Sequence, residues 1–103
     1  MPDATEPFLA CCLSVLQGDP FVIDELRFAG FDCSPGAWSF TLPALHAFLT
    51  EHLHVTLAYK AFIQQLFASD INLRLREHGA EITIADNRGK VNSSRYCLRR
   101  LPL

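Results

Sequence analysis

The stretch Glu81-Ile82-Thr83-Ile84-Ala85-Asp86-Asn87-Arg88-Gly89-Lys90-Val91 decides the fold class. Ile82 and Ile84 fall on one side and Glu81 and Thr83 on the other, which is the period-two signature of a half-buried strand. Asp86–Lys90 supplies turn chemistry, with Gly89 free to adopt a left-handed conformation, so the segment reads as a hairpin loop. The return strand is expected over roughly Val91–Leu98. A three-residue loop would set Glu81 opposite Arg95, whereas a two-residue loop would set Ile84 opposite Val91, and a slip of one residue exchanges the faces. A lone two-stranded hairpin is not stable in water. It has to pack on helices, recruit Trp38-Ser39-Phe40 as a third short strand, or pair with another chain.

Upstream of the hairpin the pattern is helical. Phe8, Leu9, Cys12, Leu13 and Leu16 recur at helical spacing and predict a first helix over Pro7–Gln17, with Gly18 as its stop. Asp19-Pro20 restarts the chain, because Asp caps a helix and proline fits its first position. This second helix should run to Ala29, with Phe21, Val22, Leu26 and Ala29 on its apolar face. Phe31–Ala37 is rich in turn residues and reads as a loop. Thr41 caps a third helix carrying Leu42, Leu45, Phe48, Leu49 and Leu53, which ends near His54. Thr56 is a candidate cap for the next one. From Leu57 to His78 neither glycine nor proline occurs, and two adjacent apolar stripes run through the segment. Unbroken, it would be a helix of ~33 Å at 1.5 Å per residue, with Ser69-Asp70 the one place to break and recap. The expected fold is therefore α+β: four to five helices with a C-terminal antiparallel β-hairpin. Leu13, Leu16, Leu26, Phe48, Leu49, Phe62 and Leu66 should lie in the core.

The 103 residues suit one small domain spanning 1–103. That length excludes a multidomain enzyme or a full dinucleotide-binding fold. Half of the residues are hydrophobic and only 19% are charged, against the usual ~25%. A chain this short buries only about two-thirds of its unfolded surface. Some apolar surface is therefore expected to remain outside, where contiguous patches mark partners. No stretch reaches the ~18 consecutive apolar residues of a membrane span, and the acidic start Met1–Glu6 lacks the positive charge of an export signal. Cys11, Cys12, Cys33 and Cys97 make a poor disulfide framework and point to reduced thiols in a cytoplasmic protein.

Chemistry-bearing motifs are missing. His46, His52 and His54 do not meet at the i, i+4 spacing of a helical metal pair, and no cysteine stands at ligand spacing from them. No nucleophile elbow and no glycine-rich phosphate loop occurs. Cys33 is expected to be the accessible cysteine, but Asp32 beside it would raise its pKa. The sequence thus predicts a protein without catalytic residues, metal or cofactor.

Charge is distributed unevenly. Residues 1–56 carry one base, Arg27, against seven acids, and residues 57–103 carry eight bases against four acids. The expected function is regulation by protein–protein contact: a homodimer that binds another protein, as an adaptor or as an antagonist of a regulator. Trp38, Phe40, Ile63, Phe67, Ile71, Arg95 and Tyr96 are the candidate interface residues, since aromatics and arginine favour interface centres. In the alternative, a helix over Asp70–His78 followed by a basic hairpin resembles, in element order, the end of a winged helix-turn-helix domain. That resemblance implies a transcription regulator with Arg74 and Arg76 facing the major groove. Arg88 and Lys90 would then sit at the wing tip, with Arg99 and Arg100 along the tail.

Overall fold

Local capping chemistry starts two of the helices where the sequence places them. In the computed structural model, which describes residues 3–86, 89 and 94–102, helix α1 spans Thr5–Leu16 and α2 spans Pro20–Phe28. Asp19 caps α2 by accepting a hydrogen bond from the Phe21 N–H at 3.0 Å, with Pro20 in the first turn. Thr41 caps α3 (Leu42–His52) in the same way through the Ala44 N–H, 3.4 Å away.

The segment Leu57–His78 breaks at Ser69-Asp70, the place the sequence offers, into two helices. Helix α4 covers Tyr59–Ala68 and α5 covers Ile71–Arg76. Ser69 is extended, and its hydroxyl donates back to the Leu66 carbonyl at 2.6 Å, so a side chain takes up a helix-end acceptor and the axis breaks. Thr56 does not cap α4, whose first flanking residue is Ala58 and has no side-chain cap.

Four strands follow the antiparallel order β1-β2-β4-β3, with β1 at Asp32–Ser34, β2 at Ala37–Thr41, β3 at Ala80–Asp86 and β4 at Arg95–Arg100. The hairpin therefore has its third strand, β2, which lies beside β4 and not beside β3. The segment expected as loop contributes a fourth: Ser34 pairs with Ala37 across Pro35-Gly36, and Gly36 holds φ +82° there. A Cβ at Gly36 would also stand 2.9 Å from Arg100 Nε. Both hairpin registers considered above are corrected. Glu81 pairs with Arg99, Ile84 with Tyr96 and Asp86 with Arg95, with a bulge at Ala85. The return strand starts at Arg95, later than Val91, and residues 87, 88 and 90–93 lie outside the described set.

One sheet face carries Cys33, Trp38, Phe40, Leu98, Tyr96, Arg100, Ala80, Ile82 and Ile84, which sit opposite one another in the ladders. Helix α1 lays Phe8 on it, with ring centroids 5.7 Å from Trp38 and 5.6 Å from Phe40. Leu16, Leu26, Phe48, Leu49 and Phe62 are buried as expected, and Leu13 and Leu66 pack against that cluster from its margin. Phe21 is 85% exposed, contrary to its assignment to the apolar face of α2; Ile23 and Leu26 take that role.

Candidate functional site

The interface candidates separate into two groups. Trp38, Phe40 and Ile71 are buried in the core, so none of them can present a flat contact surface. The indole belongs to an aromatic cluster with Phe8, Phe31 and Phe40, and its role is packing. Ile63 and Tyr96 are half-buried, and Arg95 is exposed on β4. Phe67 is 58% exposed near the end of α4.

Three of these residues nevertheless meet at one place. A cleft of about 220 Å³ lies where α4 and α5 approach the helix-covered face of the sheet. Its floor is Phe8, Phe40 and Leu42, its walls include Leu66, Ile82 and Tyr96, and its lips are Phe67 and Ile84. Ile84 is 55% exposed. Phe40 and Tyr96 stack inside it, 6.2 Å apart and 16° from parallel. The cleft is smaller than the ~300–1,000 Å³ of ordinary small-molecule sites, and suits a single large apolar side chain. Sequence reasoning missed Ile84, Leu42 and Phe8 as members, because the cleft joins residues far apart in the chain.

Asn72 of α5 closes one end of the cleft. Its Oδ1 accepts from the Ile82 N–H at 2.8 Å, and its Nδ2 donates to the Ile82 carbonyl at 3.2 Å. It thereby mimics a neighbouring strand on the outer edge of β3. With the bulge at Ala85, this blunts the edge that the hairpin would otherwise offer to another chain. At the opposite edge, β1 has only three residues.

The basic residues proposed for nucleic acid are largely engaged within the chain. Arg74 forms a two-pronged ion pair with Glu6 of α1. Glu81 draws in both Arg76, at 3.9 Å, and Arg99, at 3.4 Å. The Arg100 guanidinium donates to the Leu16 carbonyl, an orphan acceptor at the end of α1. Arg88 and Lys90 lie outside the described residues. Helix α5 has six residues, under two turns, which is little length to lay in a groove.

Two of the histidines make contacts within the fold. His46 Nε2 donates to the Leu57 carbonyl at 2.5 Å, since a carbonyl can only accept, and the ring lies against Tyr59 and Phe62. His52 stacks on Phe48 and comes within 3.7 Å of Glu25. Among the described residues no group of three or more histidine, cysteine or acidic side chains could hold a metal ion. Cys33 is buried, contrary to its expected accessibility. Its thiol is pushed up chiefly by burial, with Asp32 adding and Arg27 opposing. Burial, helped by Glu25, pushes the Cys11 thiol up to about 11, and Cys12 is raised by burial and by Cys11. All three therefore favour the unreactive protonated form.

No single helix among the described residues is long and apolar enough to cross a membrane. Comparison with known protein families, with characterised proteins and with solved structures finds no match, so the site is read from its own chemistry.

Proposed function

We propose that this chain is a small regulatory protein that acts by contact and not by catalysis. It forms a homodimer and binds another protein, as an adaptor or as an antagonist of a regulator. The observation that carries this reading is the cleft with its exposed lips, Phe67 and Ile84. Scattered exposed apolar residues are ordinary, but large ones rimming a cavity that fits one side chain resemble the receiving half of an interface hot spot. The free thiols, with Cys12 and Cys33 buried, support a reducing, cytoplasmic setting. The nucleic-acid alternative has less support, because Arg74, Arg76, Arg99 and Arg100 all have partners within the chain.

Sedimentation velocity across the micromolar range tests the homodimer. The expected result is a concentration-dependent species of twice the 11.6 kDa chain mass. A single monomer boundary throughout refutes it.

A further inference from the structure

Helix α2 carries the opposite feature to the cleft. Phe21 is 85% exposed and Phe28 is 94% exposed. They are seven residues apart on one stripe, with the exposed acids Asp24 and Glu25 between them. Phe28 is the last residue of α2, just before Gly30 turns the chain at φ +99°, so its ring projects from a helix end. A phenylalanine left this far in water is a large apolar side chain with no cover in the monomer.

We infer that the cleft of one copy receives Phe28 from α2 of a second copy. Resting on the homodimer reading above, this names the two surfaces that meet. Size is the first argument: the space of about 220 Å³ accepts one aromatic ring, and its lips are apolar. Charge is the second. The stripe bearing Phe28 carries the acids Asp24 and Glu25, whereas α4, which carries the lip residue Phe67, has Lys60 as its one charged residue.

Along α4, Lys60 precedes Phe67 by two turns and lies on the same stripe, and it is exposed. Neither Lys60 nor Asp24 has an ion-pair partner among the described residues. With α2 laid parallel to α4 and Phe28 beside Phe67, Asp24 stands ~6 Å back along its helix and Lys60 ~10 Å back along its own. A lysine side chain spans that difference. The same chain thus carries knob and hole on different surfaces. Such a contact closes as a two-fold dimer when each copy fills the other's cleft, and propagates as a chain when it does not.

Mixing two damaged proteins tests this. Phe28→Ser removes the knob and leaves the cleft intact. Phe67→Glu places an acid on the lip, facing the acidic stripe, and leaves the knob intact. Both positions are exposed, and circular dichroism checks that each variant keeps its fold. Ile84→Asp is the second lip variant. Each variant alone should associate at least about tenfold more weakly than the original chain, the equivalent of losing one buried aromatic. An equimolar mixture should form a one-to-one species of twice the chain mass, because one intact knob and one intact cleft remain. Self-association of Phe28→Ser at undiminished affinity overturns the inference and leaves the homodimer reading standing, as does a mixture that stays monomeric while the original chain associates. A monomeric original chain overturns both.

Discussion

Replacing Asn72 with leucine removes the two hydrogen bonds that fasten α5 to the outer edge of β3 while keeping the number and branching of side-chain heavy atoms. Asn72 meets both backbone groups of Ile82, at 2.8 and 3.2 Å, and Ile82 is half-buried. A hydrogen bond contributes roughly 0.5–1.5 kcal/mol net, and a buried group left unpaired costs about 1–3 kcal/mol. Because water can reach Ile82 in part, the lower end of the second range applies, which gives about 2–3 kcal/mol for the pair. For a domain of this size that lowers Tm by roughly 8–20 °C. In urea the midpoint should fall by about 2–3 M, for a slope near 1 kcal/mol/M, with the slope itself unchanged. Asn72→Asp is the informative companion. It keeps an acceptor for the Ile82 N–H but sets a carboxylate against the Ile82 carbonyl, so it should remain destabilised at neutral pH. Losing the side-chain mimic also frees a sheet edge, so Asn72→Leu should form thioflavin-positive aggregates faster than the original chain. A stability change below about 0.5 kcal/mol for Asn72→Leu, with no increase in aggregation, would refute the role assigned to this residue.

His54 holds φ 55° just past α3, a left-handed conformation. Its strain of ~1–2 kcal/mol exceeds the ~0.5–1 kcal/mol entropy cost of glycine. His54→Gly should therefore raise stability by about 0.5 kcal/mol in urea denaturation. Cys11 has a folded pKa raised from 9.0 to about 11, so the fold favours the neutral thiol. The resulting stability is complete below pH ~9 and is lost as pH rises towards ~11, on the order of 2–3 kcal/mol; Cys11→Ala should flatten that alkaline decline. Cys11, Cys12 and Cys33 should react with a thiol reagent at neutral pH far more slowly in the native protein than in urea. Duplex DNA should not retain the protein even at low salt, where phosphate contacts are strongest, and salt-sensitive retention would revive the winged-helix alternative.

What the sequence disclosed depended on how local the cause was. Asp19-Pro20 and Thr41 start helices through contacts within three residues, so their positions are readable. Ser69 stops α4 through a bond to Leu66, three residues back, which marks the place of a break but does not show that tertiary packing will use it. Strand β1 was hidden because its alternation, Asp32 and Ser34 outward and Cys33 inward, lasts only three residues and cannot be told from a turn. The hairpin register was hidden because Ala85 bulges and the strands close further from the turn than a short loop implies. Nothing local announces the Arg100–Leu16 bond, which spans 84 residues, or the pairing of Asn72 with Ile82.

The candidate site shows the same limit in a sharper form. Composition announced an apolar surplus, and on α2 periodicity placed Phe21 on the buried face with Leu26, although only Leu26 is buried. A helix of nine residues has two and a half turns. Stripes beginning at Phe21 or at Ile23 both satisfy the spacing, and only the sheet beneath selects between them. Choosing Ile23 and Leu26 for the core turns Phe21 and Phe28 to water. A similar selection draws Trp38 and Phe40 inward, since both pair across the ladder with β4 residues that face α1. Among the described residues the exposed part of the surplus lies in Phe21 and Phe28 on α2, in Phe67 and Ile84 at the cleft, and in Leu53 and Leu73 outside both. A projecting ring and a cleft of matching size on one chain are the two halves that the proposed self-complementary contact uses.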